Sequence, residues 1–184
     1  MRIISGKFRG RRLKGPTGFE LRPTSDRLKE SLFNIIGSQI VGATILDVFG
    51  GTGAIGIEAG SRGAREAVFI ENNAAAQKLI MQNLKLCGIA GGFRIIHKDV
   101  FGALRALIRQ NFKPDFAYFD PPYDWEPYQD LLDLAFKKGL LAQEGRAVIE
   151  HHRKANIPES GEGFIRTRVV RQGDQCLSFF EKNI

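Results

Sequence analysis

Cysteine is nearly absent from this chain. Cys87 and Cys176 stand far apart with no C-x-x-C pair, which argues against a disulfide framework and fits a reducing cytoplasm. Histidine is as scarce: His97, His151 and His152 are the only three, and the adjacent pair lacks a third ligand at metal spacing. No metal is expected, and His151-His152 is read as the end of a strand. No early apolar run has signal-peptide length and no later one has membrane-spanning length, so neither secretion nor membrane contact is expected. Internal repeats and low-complexity tracts are missing too. What remains is 184 residues, enough for one domain with a substantial core, expected to act as a monomer.

Acidic residues are also scarce, but only at one end. Residues 1–29 hold nine basic side chains (Arg2, Lys7, Arg9, Arg11, Arg12, Lys14, Arg22, Arg27 and Lys29) against Glu20 and Asp26. Beyond residue 29 the charges cancel, so the whole net charge of +7 sits in the first sixth of the chain. Such a footprint suits a polyanion better than general solubility. Ile3, Ile4, Phe8 and Leu13 interleave with the charges, and Gly6, Gly10 and Gly15 punctuate them. That pattern predicts a small ordered β element with its cations outward rather than a solvated tail. No basic amphipathic helix points to a membrane surface.

Two segments carry chemistry. Asp47-Val-Phe-Gly-Gly-Thr-Gly-Ala-Ile-Gly56 reads as a strand ending in a glycine turn that opens a helix. Gly51, Gly53 and Gly56 satisfy G-x-G-x-x-G, and Glu71 follows Gly51 by 20 residues, at the end of the next apolar run. That spacing is also the dinucleotide fingerprint of a nicotinamide or flavin enzyme, with Glu71 on the ribose hydroxyls. Asp47 shifts the balance, because a carboxylate before the turn repels a pyrophosphate and attracts the ammonium and sulfonium of S-adenosylmethionine. The second segment, Asp120-Pro-Pro-Tyr123, closes a later strand. An exocyclic base amine attacks a methyl group only after its nitrogen pyramidalises. Acceptors on its two N–H bonds, the Asp120 carboxylate and the Pro121 carbonyl, favour this and stabilise the developing positive charge. Pro121 and Pro122 fix the geometry. Tyr123 offers a stacking face worth about 1–3 kcal/mol.

The organisation agrees. After the basic arm, Pro23-Thr24-Ser25-Asp26 starts a helix carrying Leu28, Leu32, Ile35 and Ile36. Strand-like runs at 44–48, 67–70, 93–96, 115–119 and 146–150 then alternate with helical stretches near 54–62, 74–86, 101–110 and 127–137. This predicts right-handed crossovers and a mostly parallel sheet with helices on both faces. Runs at 164–170 and 175–181, joined by Arg171-Gln-Gly-Asp174, predict a closing antiparallel hairpin. The fold class is thus α/β, Rossmann-like, with a mostly parallel seven-stranded sheet closed by an antiparallel hairpin, an arrangement that resembles the class I methyltransferase fold. Four strands deliver acids to one edge: Asp47, Glu71 with Asn72, Asp99 and Asp120. Asp99 reads almost equally as a helix cap and as the partner of an adenine amino group, with the Val100 amide facing the ring.

Arg2-Ile-Ile-Ser-Gly-Lys-Phe-Arg-Gly-Arg-Arg-Leu-Lys-Gly-Pro16, Leu21-Arg-Pro-Thr-Ser-Asp-Arg27, Glu30-Ser-Leu-Phe-Asn34, the glycine turn and Asp-Pro-Pro-Tyr together closely resemble the bacterial 16S ribosomal RNA guanine-(966)-N2 methyltransferases. The likeness spans nearly the whole chain, and the basic N-terminal motif is its most specific part. It implies S-adenosylmethionine as donor, guanine N2 as acceptor and the small ribosomal subunit as partner. By position it assigns Asp47, Phe49, Gly51 and Gly53 to the cofactor turn, Glu71 to the ribose, and Asp120 to Tyr123 to catalysis. Arg9, Arg11, Arg12, Lys14, Arg22 and Arg27 are expected to hold ribosomal RNA. Residues 1–22 would be an RNA-contacting extension and 23–184 the catalytic core. Two departures stand out: Gly50-Gly51-Thr52-Gly53 for the family's Ala-Gly-Ser-Gly, and Gln172-Gly173-Asp174-Gln175 for its Tyr-Gly-Asp-Thr. The alternatives are an adenine-N6 methyltransferase, a nicotinamide oxidoreductase and a catalytically silent assembly factor.

Overall fold

The computed structural model describes residues 1–15, 25–122 and 124–183. One mixed sheet organises them, built from β1 (Thr44–Val48), β2 (Glu66–Ile70), β3 (Phe93–Ile96), β4 (Phe116–Phe119), β5 (Arg146–His152), β6 (Ser160–Gly161), β7 (Phe164–Gln172) and β8 (Gln175–Lys182). Its order is β3-β2-β1-β4-β5-β8-β7-β6. The first five strands in that order are parallel, and β8 enters antiparallel to β5. The sheet has eight strands where the sequence predicted seven. The extra one, β6, is a two-residue edge pairing on β7, too short to leave an alternating pattern.

The helices are α1 (Asp26–Ile36), α2 (Ala54–Ser61), α3 (Ala74–Leu86), α4 (Val100–Arg109) and α5 (Tyr128–Leu132). The stretch predicted as one helix over 127–137 is α5 followed by a π-helical turn, Asp133–Lys137. Ser25 caps α1, its side chain accepting the Leu28 N–H. One face of the sheet, with Ile45, Tyr118, Val148 and Phe179, packs against α1, α2, α3 and the N-terminal arm. The other, with Leu46, Val48, Phe119 and Ile149, packs against α4 and α5. Each large side chain so buried contributes about 1.5–3 kcal/mol. Among the described residues no helix is long and apolar enough to cross a membrane, and no cluster of three His, Cys, Asp or Glu could hold a metal.

The basic arm is built into this core rather than appended to it. Arg2 and Arg12 form an antiparallel bridge, and Ile3, Phe8 and Leu13 are buried with α1 and α2 while Arg9, Arg11, Arg12 and Lys14 stay exposed. Its anchor is the fully buried Glu58 on α2. That carboxylate accepts the Ile4 and Ser5 N–H groups at 2.8 and 3.0 Å and the Arg62 side chain at 2.8 Å. Lys29 on α1 lies 3.4 Å from the same carboxylate and donates to the Arg2 carbonyl. Burial pulls the Lys29 ammonium below its ordinary pKa, with Glu58 opposing the shift. One of the nine N-terminal cations is therefore structural and unavailable to a polyanion.

Removing Glu58 would strand a buried ammonium and release two arm amides. Glu58→Ala should lower stability by about 3–5 kcal/mol. Urea unfolding measures it, and an unchanged midpoint would refute Glu58 as the arm's anchor.

Candidate active site

The turn after β1 is held by carboxylates. Gly51 and Gly53 take left-handed φ values of 53° and 75°, and Phe49, which is not a glycine, sits at 64°. A bulky residue there stores strain of about 1–3 kcal/mol, which ligand sites tolerate. Asp47, almost fully buried, accepts the Gly56 N–H at 3.0 Å and so fixes the first turn of α2 to the end of β1. Gly56 is needed for closeness, since a Cβ there would lie 2.4 Å from the Phe69 ring on β2. Glu71, just past β2, accepts the Gly51 N–H and the Asn73 N–H, each at 2.9 Å. Turn and neighbouring strand end are thereby one unit.

A cavity of about 160 Å³ opens beside this unit. Its wall contains Phe49, Glu71, Asn72, Asp99 and Val100, five residues the sequence assigned to a cofactor. Asp47, Gly51 and Gly53, which the sequence also assigned to a cofactor, are not in that wall; they shape the turn beside it. Asp99 is indeed a cap: its Oδ1 accepts the Gly102 N–H of α4 at 2.7 Å. The cap leaves Oδ2 available for a ligand, so the two readings of Asp99 are compatible. Ile70, Phe101 and Trp125 complete the wall and were not singled out in the sequence. The position of Trp125, two residues past Asp-Pro-Pro-Tyr, was the available signal.

The Asp120 loop begins next door. Its N–H donates to the Val48 carbonyl at 3.3 Å, which sets the loop beside the end of the glycine-turn strand. Pro121 is buried, and the Pro122 carbonyl accepts the Trp125 N–H at 3.0 Å, closing the turn. Tyr123 and Arg22 lie outside the described residues. Arg27 is exposed on the first turn of α1.

Three carboxyl groups share this edge. Burial, then Glu150 and Asp47, push Asp120 well above the usual carboxylate range. Burial, with Glu71 adding and the Gly56 bond opposing, raises Asp47 to about 7. Glu150 on β5 accepts the Tyr118 hydroxyl and, at 2.8 Å, the Gln175 amide. The divergent hairpin tip thus reaches the site through Gln175. Its other glutamine, Gln172, bonds Ser31 on α1 at 3.1 Å. Such a concentration of carboxyl groups suits a cationic ligand and disfavours a pyrophosphate.

The arm meets the site at Asn83 on α3. Fully buried, Asn83 donates to the Thr52 carbonyl of the glycine turn at 2.9 Å and the Lys14 carbonyl at 3.1 Å. It also accepts the Lys14 N–H at 2.8 Å. Arg11 is partly committed: it donates to the Leu86 carbonyl at 2.8 Å and lies over the Phe8 ring. Arg9, Arg12 and Lys14 remain the more available cations.

Comparison with known proteins places these features in a wider group. The family model described as conserved hypothetical protein 95 matches residues 1–181. YlbH of Bacillus subtilis is 34% identical over 182 residues, covering 99% of both chains. Ribosomal RNA small subunit methyltransferase D of Escherichia coli is 35% identical over 158 residues, 86% of this chain and 78% of its own. The solved structure of YhhF from Escherichia coli superposes with a TM-score of 0.82 at 31% identity, covering 100% of this chain and 98% of its own.

The raised Asp47 has a thermodynamic consequence. Between its ordinary value near 3.8 and about 7 the folded protein keeps a proton that the unfolded chain releases. Stability therefore falls as pH rises through that window, by up to about 1.4 kcal/mol per pH unit from this group. Asp47→Asn should flatten the decline in ligand-free protein, read from urea unfolding between pH 5 and about 8. An unaltered pH slope would contradict the assignment.

Proposed function

The chain belongs to the conserved hypothetical protein 95 family, and from that premise we propose that it methylates the exocyclic N2 of a guanine in 16S ribosomal RNA, using S-adenosylmethionine. It is an S-adenosylmethionine-dependent ribosomal RNA methyltransferase; guanine N2 is the finer step. The observation that carries the reading is the adjacency of the Asp120 loop and the glycine turn at the ends of neighbouring parallel strands, tied by the Asp120 to Val48 bond of 3.3 Å. Ligands of open α/β sheets bind at that edge.

The residues present fit the cofactor. Glu71 keeps lone pairs for ribose hydroxyls beyond those used by Gly51 and Asn73. Asn72 and Phe49 line the same wall, and Asp99 Oδ2 and the Val100 amide would be the groups to meet the adenine. Bound there, S-adenosylmethionine supplies an electrophilic methyl group on a sulfonium. Its positive charge beside Asp47, Asp120 and Glu150 would offset their mutual repulsion and favour ionised Asp120.

Asp120 and the Pro121 carbonyl accept the two N–H bonds of the base amine, pyramidalise its nitrogen and stabilise the charge that develops on it. Pro122 stiffens the loop and Tyr123 stacks on the base. No strong general base is required, because the methylated nitrogen sheds its proton readily. Residues 1–22 serve as the RNA-contacting extension, with Arg9, Arg12 and Lys14 on phosphates and Arg11 assisting, and Arg22 and Arg27 are further RNA-binding candidates. Residues 23–184 form the catalytic core.

Asp120→Ala should leave S-adenosylhomocysteine affinity nearly intact while lowering turnover on small ribosomal subunits by about 10²-fold or more. Equal losses in affinity and turnover would move Asp120 from chemistry to cofactor binding.

The arm makes a separate prediction. Replacing Arg9, Arg12 and Lys14 with Ala should weaken binding to ribosomal substrate and reduce the salt slope of log K by roughly 2–3 units if all three reach phosphates. S-adenosylhomocysteine binding should not change in calorimetry. Wild-type methylation by this variant at every salt concentration would contradict a role for the arm in RNA binding.

A further inference from the structure

Trp125 is the sole tryptophan of the chain, and its ring packs against two of the segments that face the cavity. It packs edge-on against Phe49 of the strained turn, with centroids 4.9 Å apart and planes at 80°. On its other side it lies nearly parallel to Phe101 of α4, at 5.8 Å and 17°. Its backbone N–H closes the turn that starts with Asp120-Pro-Pro. One side chain therefore joins the glycine turn, the α4 N-terminus that carries Asp99, and the loop proposed to do the chemistry.

Its indole N–H is buried and finds no hydrogen-bond partner among the described residues. Folded proteins seldom leave such a donor unpaired, because its desolvation goes uncompensated. The ring as a whole is only half-buried and lines the same wall as Glu71, Asn72, Asp99 and Val100. The ring adjoins the cavity while its N–H is shielded from it, so a nucleoside, rich in acceptors and with a flat face, would pair with that donor only by shifting the ring or its neighbours.

We propose that Trp125 is a cofactor-binding residue: its indole packs on the nucleoside half of S-adenosylmethionine, donates its N–H to an acceptor there, and couples pocket occupancy to the conformation of the Asp120–Trp125 loop. This rests on the methyltransferase reading above. Aromatic contact supplies area with few rotors to freeze, and the N–H supplies orientation. Phe49 and Phe101 hold the ring in place.

A single tryptophan makes the test direct. S-adenosylhomocysteine is titrated into the full-length protein with emission and calorimetry recorded in parallel. Emission should change and saturate at the calorimetric Kd. Trp125→Phe keeps a ring and loses the donor, and should weaken binding by about 3- to 10-fold. Trp125→Ala should weaken it further. If Trp125→Ala fails to fold in a thermal melt, wild-type emission and Trp125→Phe decide the matter. Calorimetric binding with unmoved emission and a wild-type Kd for Trp125→Phe would overturn the proposal and leave the methyltransferase reading standing. An absence of binding by wild-type protein would overturn both.

Discussion

The candidate site depends on one carboxylate. Glu71 receives the Gly51 and Asn73 N–H groups and, with the Gly50 N–H donating to the Ile70 carbonyl, joins the turn to the end of the next strand. A glycine turn at left-handed φ is entropically costly to order, and charge-assisted bonds of this kind offset that cost. The same device recurs along the edge, with Asp47 on the Gly56 N–H and Asp99 on the Gly102 N–H. Parallel strands feeding helices leave exposed amides at this edge, and short acidic side chains meet them. Lone pairs left over from that structural work point to where a ligand is recognised.

A second consequence concerns how substrate and cofactor come together. The N-terminal arm carries the net charge, yet its backbone is tied to the core by Glu58 and Asn83. Asn83 bonds both the Lys14 carbonyl and the Thr52 carbonyl of the glycine turn. The arm's backbone at Lys14 therefore keeps a fixed relation to the glycine turn. Orienting a large polyanion before chemistry lowers the entropic part of the barrier, which a tethered flexible tail would do less well.

Strong periodic signals made the fold legible. Apolar runs at 44–48 and 93–96 coincide with β1 and β3, and the helix over 74–86 coincides with α3. The two-residue β6 and the π-helical turn after α5 escaped because each depends on tertiary packing rather than on pattern. In the cavity wall, the positions of Glu71 and Asp99 were readable because acids at strand ends fall on one edge of a parallel sheet. Trp125 and Glu150 were not. Trp125 joins the pocket through a turn closed by the Pro122 carbonyl, and Glu150 approaches Asp120 only through the pairing of β4 with β5. The buried role of Lys29 was likewise invisible in a charge census, which counts cations without knowing which of them α1 turns inward.

The central claim is the identity of the accepting atom. The most direct measurement incubates the protein and S-adenosylmethionine with small ribosomal subunits lacking the modification, digests the RNA and identifies the methylated nucleoside by mass spectrometry. The account predicts N2-methylguanosine at a single position in 16S ribosomal RNA. N6-methyladenosine, or no methylated nucleoside at all, would contradict it.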